Sequence, residues 1–486
     1  MMQIHNTIYN TLVAVTNSVQ YANTKGYLIG GTLRDLLLNK SPADLDFLVE
    51  QNCHKTLNHL CKQLHAHYFA IKKTMKLYRL LSGKYTIDFA ELKNESLEEN
   101  LSKRDFTINS IAFPLSQLQK TLNPQHLIDP FNGYGDLKNK IIKHTSASAF
   151  SFDPVRILRA FRLQQQLQFT IHPDTLQLAS SCAELLTKSP AERILLEFVK
   201  ILSYRLSYKT ITAIDTYHIL DSIFPEIKYA KGCLQLGEHH LDVWQHCLLS
   251  YENLEHILNS LHNLFPGYSK LINSYLASPI SFSINTRTAL KIACLFHDIG
   301  KPPTKILHKN GTHYSFIDHQ KIGAIIMQKR CKELRFDKKT TAFISFMIKH
   351  HLFLSHYHEK NLLAPKYMNR YFMRFGEDAI ALGLMFLADK SAHKGNEIYQ
   401  SANDFLSHYM TYYFASFHKI KEKMHILDGY EIMHKFQLPP GPFIGKLLKL
   451  IQEAQLNGKI HSMEDCFRLI ETEIKSSQFK SPDQKN

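Results

Sequence analysis

The amino-acid sequence predicts an α+β protein, in which a mixed α/β N-terminal part is followed by an all-α remainder. Short apolar runs typical of strands occur at 27–29 and 47–49, and residues 78–81 and 85–89 flank Gly83 as the two arms of a hairpin. From about residue 150 onward, apolar residues recur with helical spacing and strand patterns nearly vanish. The strands are therefore expected in the first third of the chain.

The composition is that of a folded protein with a polyanionic partner. The chain has 486 residues, enough for two to four domains, and 44% of them are hydrophobic. It carries 58 Lys and Arg against 43 Asp and Glu, a net charge of +15 with neutral histidines. Its 23 Tyr and 30 Phe can stack on unpaired bases, so charge and aromatic content together favour a nucleic-acid partner.

The cysteines and the N-terminus predict a reducing compartment. The eight cysteines are scattered and form no C-x-x-C pair, which is typical of thiols rather than of disulfides or zinc ligands. Residues 1–20 lack the basic start and the cleavage site of a signal peptide, and no apolar run is long enough to span a bilayer. We expect a cytoplasmic protein that makes no membrane contact.

The most informative stretch is 30–35, Gly-Gly-Thr-Leu-Arg-Asp, which is followed by Asp44 and Asp46. Two glycines let the backbone approach a polyphosphate, and Arg34 can pair with phosphate oxygens. Asp44 and Asp46 are two residues apart, so in a strand they point to the same side and can hold divalent ions for phosphoryl transfer. Asp88, on a neighbouring predicted strand, is a candidate third carboxylate. Oxygen ligands of this kind favour Mg²⁺.

This stretch and its successors resemble a known family signature. Residues 30–46, GGTLRDLLLNKSPADLD, resemble the first motif of the bacterial-type, class II tRNA nucleotidyltransferase and poly(A) polymerase family. Four further elements of the family pattern follow in its order, at 104–110, 129–137, 153–162 and 190–194. One departure is Phe152, where the family usually has Glu. The resemblance covers about half of the chain and implies a nucleotidyltransferase head followed by a helical neck.

The resemblance also implies roles for individual residues. Asp44 and Asp46, with Asp88, are expected to be the catalytic carboxylates. Residues expected to contact the triphosphate or sugar are Gly31, Arg34, Arg104, Arg159 and Arg162. Asp153 and Arg156 are expected to read the base from one helix, because an acceptor and a donor match cytosine and adenine but not uracil or guanine. Asp153 followed by Pro is also a common helix start, an alternative that the sequence leaves open.

A second cluster resembles an HD metal phosphohydrolase. Its elements are His246, the run His-Asp-Ile-Gly-Lys at 297–301, His319, the pair at 350–351 and Asp389. Imidazoles and a carboxylate from neighbouring helices can bind a divalent metal that activates water at a phosphoester. The metal ligands implied by the resemblance are His246, His297, Asp298 and Asp389. The alternative is a region that keeps only a structural or RNA-holding role.

These observations divide the chain into four predicted regions. They are a nucleotidyltransferase head at 1–145, a helical neck for nucleotide and RNA at 146–232, an HD region at 233–395 and a C-terminal helical region at 396–486. Residues 265–285, with two prolines and many serines, predict a loop between helices.

The predicted function is template-independent transfer of CMP and/or AMP from CTP and ATP to the 3′ end of tRNA. Mg²⁺ is the expected cofactor, with a second divalent metal in the HD region, and the oligomeric state is open. Three alternatives stand beside this: a poly(A) polymerase, an HD phosphohydrolase with an RNA-binding head, and a non-catalytic RNA-binding protein. The intact carboxylates argue against the last two.

The link after Asp88 bears on which nucleotides are added. Fifteen residues lie between Asp88 and Arg104, and the part at 89–100 contains no Arg, Tyr or Pro. Full CCA-adding members of the family usually carry a longer charged segment there, which helps to reset the pocket from cytosine to adenine. The short link resembles members that add only the two cytosines. Full CCA addition is the alternative if another loop replaces the segment.

Overall fold

The early strands form one six-stranded sheet in the computed structural model of this chain. In spatial order the strands are Tyr68–Lys72, Leu77–Ser82, Tyr85–Glu91, Asp44–Val49, Gly26–Ile29 and Ala112–Pro114. The central pair, Asp44–Val49 and Tyr85–Glu91, is parallel, and the other neighbours are antiparallel. The hairpin predicted around Gly83 is confirmed, with Ser82 opposite Tyr85.

The chain divides into two units, Met1–Pro225 and Glu226–Asn486. The structure describes residues 2–72, 76–83, 85–92, 94–235, 241–308, 314–417, 427–456, 459–460 and 462–478. The six-stranded sheet belongs to the first unit, and helices predominate in the rest of the described chain. The predicted α+β class is therefore confirmed.

The first unit adds helices and short turns to the sheet. Its α-helices are Asn6–Tyr21, Gly30–Leu37, Cys53–Leu64, Leu97–Ser102, Gly133–Lys138, Ala149–Phe152, Arg156–Leu167, Pro173–Ser181, Ala191–Ser203, Tyr208–Thr216 and Leu220–Ile223. Its 3₁₀ turns are Thr107–Asn109, Leu115–Gln117, Pro124–His126 and Ala183–Lys188. Two short strand pairs join Met2–Gln3 to Thr121–Leu122 and Ile141–Ile142 to Thr170–Ile171. The core includes the buried residues of the two central strands, which are Leu45, Phe47, Leu48, Val49, Ile87 and Phe89. Residues 47–49 are consecutive, so both faces of that strand are covered.

The second unit is almost entirely helical. Its α-helices are Ile227–Ala230, Val243–Asn259, Leu261–Leu264, Ser269–Ala277, Thr286–Leu295, His319–Glu333, Lys338–His350, Leu352–Glu359, Pro365–Phe375, Asp378–Ser391, Asn396–Tyr412, Gly429–Phe436, Pro442–Leu456 and Met463–Gln478. A 3₁₀ turn at Pro302–Thr304, a π turn at Tyr413–Phe417 and a hairpin of Lys305–Leu307 with Tyr314–Phe316 complete it. Within the described residues, no helix is both long enough and apolar enough to cross a membrane.

The predicted loop at 265–285 is wrong in its centre. Residues Ser269–Ala277 form a helix, in which Ile272 and Leu276 are buried. These two residues are four apart, so they lie on one helical face and anchor it by apolar burial. Proline stops a helix only when it falls inside one, and Pro266 and Pro279 lie outside this one.

Candidate functional site

A cavity of about 530 Å³ lies in the first unit, between sheet residues and the helices that follow. Its charged lining residues are Asp46, Asp88, Arg104, Asp105, Asp153, Arg156, Arg159, Arg193, Glu197 and Lys200. Both glycines of the first motif also line it. Because the lining has both acidic and basic side chains, it suits an anionic ligand that binds together with cations. Of the residues predicted for nucleotide transfer, Asp44, Arg34 and Arg162 are not in this lining.

Asp44 and Asp46 begin the strand Asp44–Val49, exposed and half-buried respectively. They share one face of the strand because they are two residues apart. Thr32, in the helix Gly30–Leu37, fixes this strand end: its Oγ1 donates to the Asp44 carbonyl at 2.9 Å and accepts from the Asp46 amide at 2.7 Å. The glycine motif and the paired carboxylates are thus one structural element. Sequence reasoning did not assign Thr32 this role.

Asp88 lies directly opposite Asp46 in the parallel strand pair. Arg79 donates from Nε and Nη2 to the two Asp88 oxygens, both at 2.7 Å. Burial raises the pKa of Asp46, Arg104 opposes that shift, and Asp88 and Asp44 add to it. An electronegative pair of half-buried carboxylates fits a divalent cation, which would relieve their repulsion. Arg79 was missed because no motif includes it.

The glycine turn brings the backbone close to charged groups. Gly30 has φ +65°, and a Cβ there would lie 3.0 Å from Arg104 Nη1 and 3.3 Å from Asp46 Oδ2. At Gly31 a Cβ would meet only ordinary contacts, so Gly30 is the more constrained position. Arg104 Nε is buried and has no hydrogen-bond partner among the described residues. Arg104 therefore keeps an unused donor in the cavity wall.

Arg34 lies behind the glycine turn. Its side chain is buried, and Nε and Nη2 donate to Asp35 Oδ1 at 2.8 and 2.6 Å. Nη1 donates to Asn109 Oδ1 at 2.8 Å. Because these bonds join the first motif to the element at 104–110, Arg34 supports the cavity wall. Arg34 was predicted to contact the triphosphate, but it does not line the cavity.

Asp105 anchors Arg159 in the cavity. Arg159 Nε lies 2.8 Å from Asp105 Oδ2, while Asp105 Oδ1 accepts from Asn109 Nδ2 at 2.9 Å and from the Phe106 amide at 2.8 Å. Burial by itself would raise the pKa of Asp105, but Arg159 and the hydrogen bonds outweigh it and lower the pKa. Asp105 was not predicted as a site residue, although it lies inside the family element at 104–110.

Asp153 and Arg156 both reach the cavity, but they do not share a helix. The helix Arg156–Leu167 begins at Arg156 without a side-chain cap, and Asp153 precedes it in extended backbone. The prediction that they lie along one helix and the N-cap alternative are therefore both wrong. The cause is Arg193, which donates to Asp153 Oδ1 at 3.0 Å and Oδ2 at 2.7 Å and so holds the carboxylate away from the helix amides.

Arg156 is fixed mainly by backbone groups. Nη2 donates to the Lys103 carbonyl at 2.8 Å, and Nη1 lies 3.3 Å from the Arg104 and Ala149 carbonyls. Its guanidinium carbon lies 5.5 Å from the centre of the exposed Phe152 ring, a cation–π contact. Phe152 therefore supports Arg156 by its ring face, at the position where the family usually has Glu.

Arg162 does not reach the cavity lining, whereas the neck helix Ala191–Ser203 does. Arg162 Nε donates to Glu197 at 2.5 Å, and its Nη1 donates to Gln166 at 2.7 Å. The neck helix supplies Arg193, Glu197 and Lys200 to the lining. Their spacing of four and then three residues places them on one helical face, a signal that could have been found in the sequence.

The second unit contains a buried cluster of four histidines and two aspartates. Its members are His246, His297, Asp298, His319, His351 and Asp389, none of them more than 9% exposed. His246, His319 and Asp389 lie in three helices, and the other members follow the ends of the helices Thr286–Leu295 and Lys338–His350. All four metal ligands implied by the sequence are present. Of the pair at 350–351, His351 joins the cluster, while His350 packs against Phe346 and Phe375.

Short distances connect the members of this cluster. His246 Nε2 lies 2.8 Å from Asp389 Oδ1, and His297 Nε2 lies 3.4 Å from both Asp389 Oδ1 and Asp298 Oδ2. His319 Nε2 lies 3.3 Å from Asp298 Oδ1. Ligand atoms about 3 to 3.4 Å apart are what metal–ligand bonds of about 2.1 Å require at neighbouring positions. The spacing of the cluster therefore fits metal binding.

The histidines are oriented by the backbone. The Nδ1 atoms of His297, His319 and His351 lie 2.7–2.8 Å from the carbonyl oxygens three residues earlier, to which they donate. Nε2 of each ring is then the atom free to bind a metal. Nε2 of His297 and of His319 is buried and has no hydrogen-bond partner within the described part of the chain. Buried unpaired nitrogens of this kind fit a divalent metal.

Gly300 brings one of these histidines into place. A Cβ at Gly300 would lie 2.1 Å from the His319 carbonyl oxygen and 2.5 Å from the Gly323 amide nitrogen, so no side chain fits there. The helix His319–Glu333 can therefore pack directly against the turn that follows Asp298. The glycine of the His-Asp-Ile-Gly-Lys run is thus explained by close backbone approach.

Family models match three parts of the chain. The Poly A polymerase head domain matches residues 26–143, and the probable RNA and SrmB-binding site of polymerase A matches residues 168–231. The HD domain matches residues 243–390. The nucleotide cavity draws on the first of these stretches and the buried histidine cluster lies within the third.

Relatives extend the match over most of the chain. A CC-adding tRNA nucleotidyltransferase of Thermus thermophilus is 25% identical over 92% of this chain and 93% of its own. An A-adding tRNA nucleotidyltransferase of Deinococcus radiodurans is 26% identical over 90% and 93%. A multifunctional CCA protein of Aliivibrio salmonicida is 30% identical over 67% and 74%. The chain belongs to the tRNA nucleotidyltransferase and poly(A) polymerase family. It is a nucleotidyltransferase with an HD domain.

Solved structures show the same fold. The apo form I of a CCA-adding enzyme has a TM-score of 0.67 and 20% identity, covering 97% of this chain and 95% of that one. The Thermotoga maritima CCA-adding enzyme complexed with tRNA has a TM-score of 0.64, also at 20% identity, covering 97% and 96%. The family and its domains indicate divalent metal use.

Proposed function

We propose that this protein transfers CMP and/or AMP from CTP and ATP to the 3′ end of tRNA. The main support for this proposal is that Asp46, the glycine turn, Arg156 and Asp153 line one cavity. Relatives named for CC, A or CCA addition span most of the chain. The proposal includes a cytoplasmic location, which agrees with eight unpaired cysteines.

In the proposed reaction, the tRNA 3′-hydroxyl gives up its proton to solvent and its oxygen forms a bond to the α-phosphorus. The bond from that phosphorus to the β-phosphate oxygen breaks, and pyrophosphate leaves with that oxygen. Asp44 and Asp46 would hold Mg²⁺, because their donors are oxygens only. Bound there, Mg²⁺ supplies charge stabilisation for the transferred phosphoryl group. Arg104 and Arg159 would neutralise phosphate oxygens, and Asp153 with Arg156 would read the base edge.

The assignment of regions is part of the same proposal. The head at 1–145 would carry the chemistry, and the neck at 146–232 would complete the base-reading wall through the neck helix. The HD region at 233–395 and the C-terminal region at 396–486 would carry the second metal site and further helical surface. The contribution of Arg193 and Lys200 to the cavity supports this role of the neck.

The test is extension of a tRNA that ends at the discriminator base. The full chain is supplied with CTP, with ATP, with both, and with UTP and GTP, and an oligo(A) RNA with ATP serves as the second substrate. We expect addition to the tRNA and little extension of the oligo(A). Processive extension of the oligo(A) would instead support a poly(A) polymerase, and no addition to either RNA would contradict transfer altogether.

For the number of nucleotides, we propose that the chain adds the two cytosines. The link between Asp88 and Arg104 is short, and part of it is the helix Leu97–Ser102, held by a capping box from Ser96 and Glu99. An ordered helix leaves little chain to move when the pocket must change from cytosine to adenine. With CTP and ATP together, we expect a product two nucleotides longer. A product three nucleotides longer, ending in A, would contradict CC addition.

A second activity is favoured by the buried histidine cluster. We propose that the buried histidine cluster hydrolyses phosphoesters at nucleotide or RNA ends, such as 2′,3′-cyclic phosphates. The oxygen of a water forms a bond to phosphorus, the ester bond breaks, and the leaving ribose oxygen takes up a proton. A divalent metal at the cluster supplies Lewis-acid activation of the phosphoester. His246, His297, Asp298 and Asp389 would hold it.

The test is hydrolysis of 2′,3′-cyclic AMP and 2′-AMP by the full chain with Mg²⁺, Mn²⁺, Ni²⁺ or Co²⁺. We expect turnover with at least one ion and its loss in Asp298→Asn. His350→Gln is the matched control, since His350 lies beside His351 but outside the cluster. Absence of turnover with every ion would favour a structural role for the HD region.

A further inference from the structure

The face of the six-stranded sheet that carries the carboxylates continues beyond them to the edge of the sheet. Asp46 pairs with Asp88, which also pairs with Arg79 on the next strand. Arg79 in turn pairs with Phe69 on the edge strand Tyr68–Lys72. Residues that are paired in register point to the same face of a sheet, so this row runs from the carboxylates to the edge on one face.

Two large apolar side chains are exposed on the outer part of this face. Phe69 is 52% exposed and Leu81 is 60% exposed. Leu81 is two residues from Arg79 on the strand Leu77–Ser82, so it shares the face of Arg79 and is a diagonal neighbour of Phe69. We call Phe69, Arg79 and Leu81 the outer shelf. Exposed apolar groups at a sheet edge favour association, so the shelf is expected to be covered in the working protein.

The strands beneath the outer shelf are held from the opposite face. His54, in the helix Cys53–Leu64, lies 3.0 Å from the Tyr68 hydroxyl through Nδ1 and 2.8 Å from the Tyr78 hydroxyl through Nε2. Tyr78 and Leu80 are buried on that face. The shelf is therefore a preformed surface on packed strands, and a ligand that binds it does not have to order a loop.

The order of the strands places the outer shelf opposite the glycine turn. The turn follows the strand Gly26–Ile29, on one side of Asp44–Val49, whereas the shelf lies on the other side, beyond Asp88. In an in-line displacement, the attacking and leaving oxygens lie on opposite sides of the phosphorus. With the pyrophosphate at the glycine turn and Arg104, the attacking 3′-hydroxyl would approach over Asp88, from the side of the shelf.

We propose that the outer shelf binds the 3′-terminal bases of the tRNA, with a base stacked on Phe69 and flanked by Leu81. The inference rests on the proposed nucleotide transfer. Adjacent strands are about 4.8 Å apart, so Phe69 lies about 10 Å from Asp88, within reach of the terminal nucleotide and the one before it. Stacking tolerates any base, because every base has a π-face. This suits an RNA whose terminal base changes with each addition.

Arg79 adds a hydrogen-bond donor to the outer shelf. Its Nε and Nη2 donate to Asp88, both at 2.7 Å, whereas Nη1 has no hydrogen-bond partner among the residues that the structure describes. The Arg79 side chain is 39% exposed, so Nη1 can donate to a phosphate of the RNA backbone. Arg79 would then orient the third carboxylate and position the RNA beside it.

The first experiment locates the RNA end without requiring nucleotide transfer. A tRNA that ends at the discriminator base carries 5-iodouridine as its last nucleotide and is irradiated in complex with the full chain, with no nucleoside triphosphate present. Iodouracil crosslinks to an aromatic ring stacked on it, and mass spectrometry identifies the attached residue. We expect a crosslink at Phe69 that is lost in Phe69→Ala. Crosslinks found only at other residues would overturn the proposal.

The second experiment measures what the stacking contributes. Phe69→Ala should raise the KM for tRNA by about 5- to 150-fold, because one base loses its aromatic partner, while the KM for CTP stays within about twofold. Phe69→Tyr keeps the ring and should behave like the parent. Phe282→Ala, which removes a fully exposed phenylalanine of the second unit, is the matched control and should leave both constants unchanged. An unchanged KM for tRNA in Phe69→Ala, or an equal rise in Phe282→Ala, would overturn the proposal.

The two experiments separate the outer shelf from the function on which it rests. A crosslink at Phe69 in a protein that adds no nucleotide would support the shelf and contradict transfer. Normal addition without that crosslink would support transfer and overturn the shelf. Sedimentation measures the remaining alternative: dimerisation of the parent that Phe69→Ala abolishes would assign the shelf to a second copy of this chain and overturn RNA binding there.

Discussion

At the scale of single residues, the nucleotide cavity is built from ion pairs that lock its acidic and basic groups in place. The pairs are Arg79 with Asp88, Arg159 with Asp105 and Arg193 with Asp153. Such bidentate or charge-assisted bonds hold a side chain in one orientation. A base or phosphate therefore meets groups that are already positioned. The cost of reorganising the cavity on binding is correspondingly small.

Replacing Arg156 by Ala should impair base selection as well as rate. Arg156 donates to backbone carbonyls at the cavity wall and lies 3.8 Å from Asp153, so it is the donor beside the acceptor. Loss of one base-reading contact costs about 1–3 kcal/mol, or roughly 5- to 150-fold in discrimination. The measurement is the ratio of kcat/KM for CTP over UTP on a tRNA that lacks its terminus.

Arg162→Ala is the comparison for that experiment. Arg162 lies on the same helix but is bound to Glu197 and Gln166. The Arg162→Ala substitution should lower the free energy of unfolding, because Glu197 loses this partner. The ratio of kcat/KM for CTP over UTP should stay within about twofold of that of the unsubstituted protein. Unchanged selectivity in Arg156→Ala, or lost selectivity in Arg162→Ala, would reverse the roles of these two arginines.

Metal loading of the buried cluster should release protons. Burial alone would lower the pKa of His297, but Asp298 and Asp389 outweigh it and raise this pKa well above its usual value. The His297 ring therefore keeps its proton to a higher pH than an ordinary imidazole, whereas a metal needs the neutral ring. The affinity for Mn²⁺ should rise with pH across the neutral range.

Calorimetry in buffers of different ionisation enthalpy measures this release. We expect the protein with Asp44→Asn and Asp46→Asn to release protons when Mn²⁺ binds. The His297→Gln variant should release less. Binding heats that do not depend on the buffer would show that His297 is neutral before metal binds.

At the scale of elements, the helices that carry the cluster are joined by a buried ion pair. Lys291, in Thr286–Leu295, lies 2.6 Å from Glu255 Oε1 in Val243–Asn259, and both side chains are at most 1% exposed. Tyr251 also donates to Glu255, at 3.2 Å. Burial lowers the pKa of Lys291 although Glu255 opposes this, so the lysine depends on its partner to stay charged.

Lys291→Met should lower the free energy of unfolding by about 3–5 kcal/mol, because the buried Glu255 carboxylate would lose the ammonium group that compensates its charge. Adding Glu255→Gln should recover a large part of that loss and keep an acceptor for Tyr251. Lys321→Met, in an exposed pair with Asp318, is the control and should change stability by less than about 0.5 kcal/mol. Denaturant unfolding measures all three. Additive losses in the double variant would contradict the coupling.

Elements also show where local sequence patterns are reliable. The apolar run at 47–49 and the hairpin arms at 78–81 and 85–89 predicted strands, and the structure contains all three. Short apolar runs bounded by turn residues are local patterns that favour strands. The helix Ser269–Ala277 was missed because its serines and flanking prolines resemble those of a loop. Burial of Ile272 and Leu276 against neighbouring helices outweighs that local preference.

At the scale of the whole molecule, the nucleotide cavity and the buried histidine cluster are built from separate residues. Asp46 belongs to the first unit and Asp298 to the second. None of the residues described around either site is shared with the other. Their activities should therefore be lost independently.

Asp46→Asn should reduce nucleotide addition by at least about 10³-fold while hydrolysis of 2′,3′-cyclic AMP is unchanged. Asp298→Asn should do the reverse. Filter binding of tRNA should stay within about threefold in both, since phosphate contacts, not metal ligands, dominate RNA affinity. Loss of both activities in either variant would show that the sites are coupled.

Residue types and their order along the chain can be recognised without any structure. The glycine turn, the carboxylates at 44 and 46 and the His-Asp-Ile-Gly-Lys run are local patterns, so their chemistry can be predicted from neighbours in sequence. The α+β class follows from periodicity, which is equally local. These features needed no knowledge of how distant segments pack.

The tertiary structure alone decided which distant side chains meet. Arg193 holds Asp153 across 40 residues, and His351 rather than the adjacent His350 enters the buried cluster. Neighbouring residues at a helix end point about 100° apart, so a small rotation selects one of them. Such choices depend on packing between segments far apart in sequence, where local propensity carries no information.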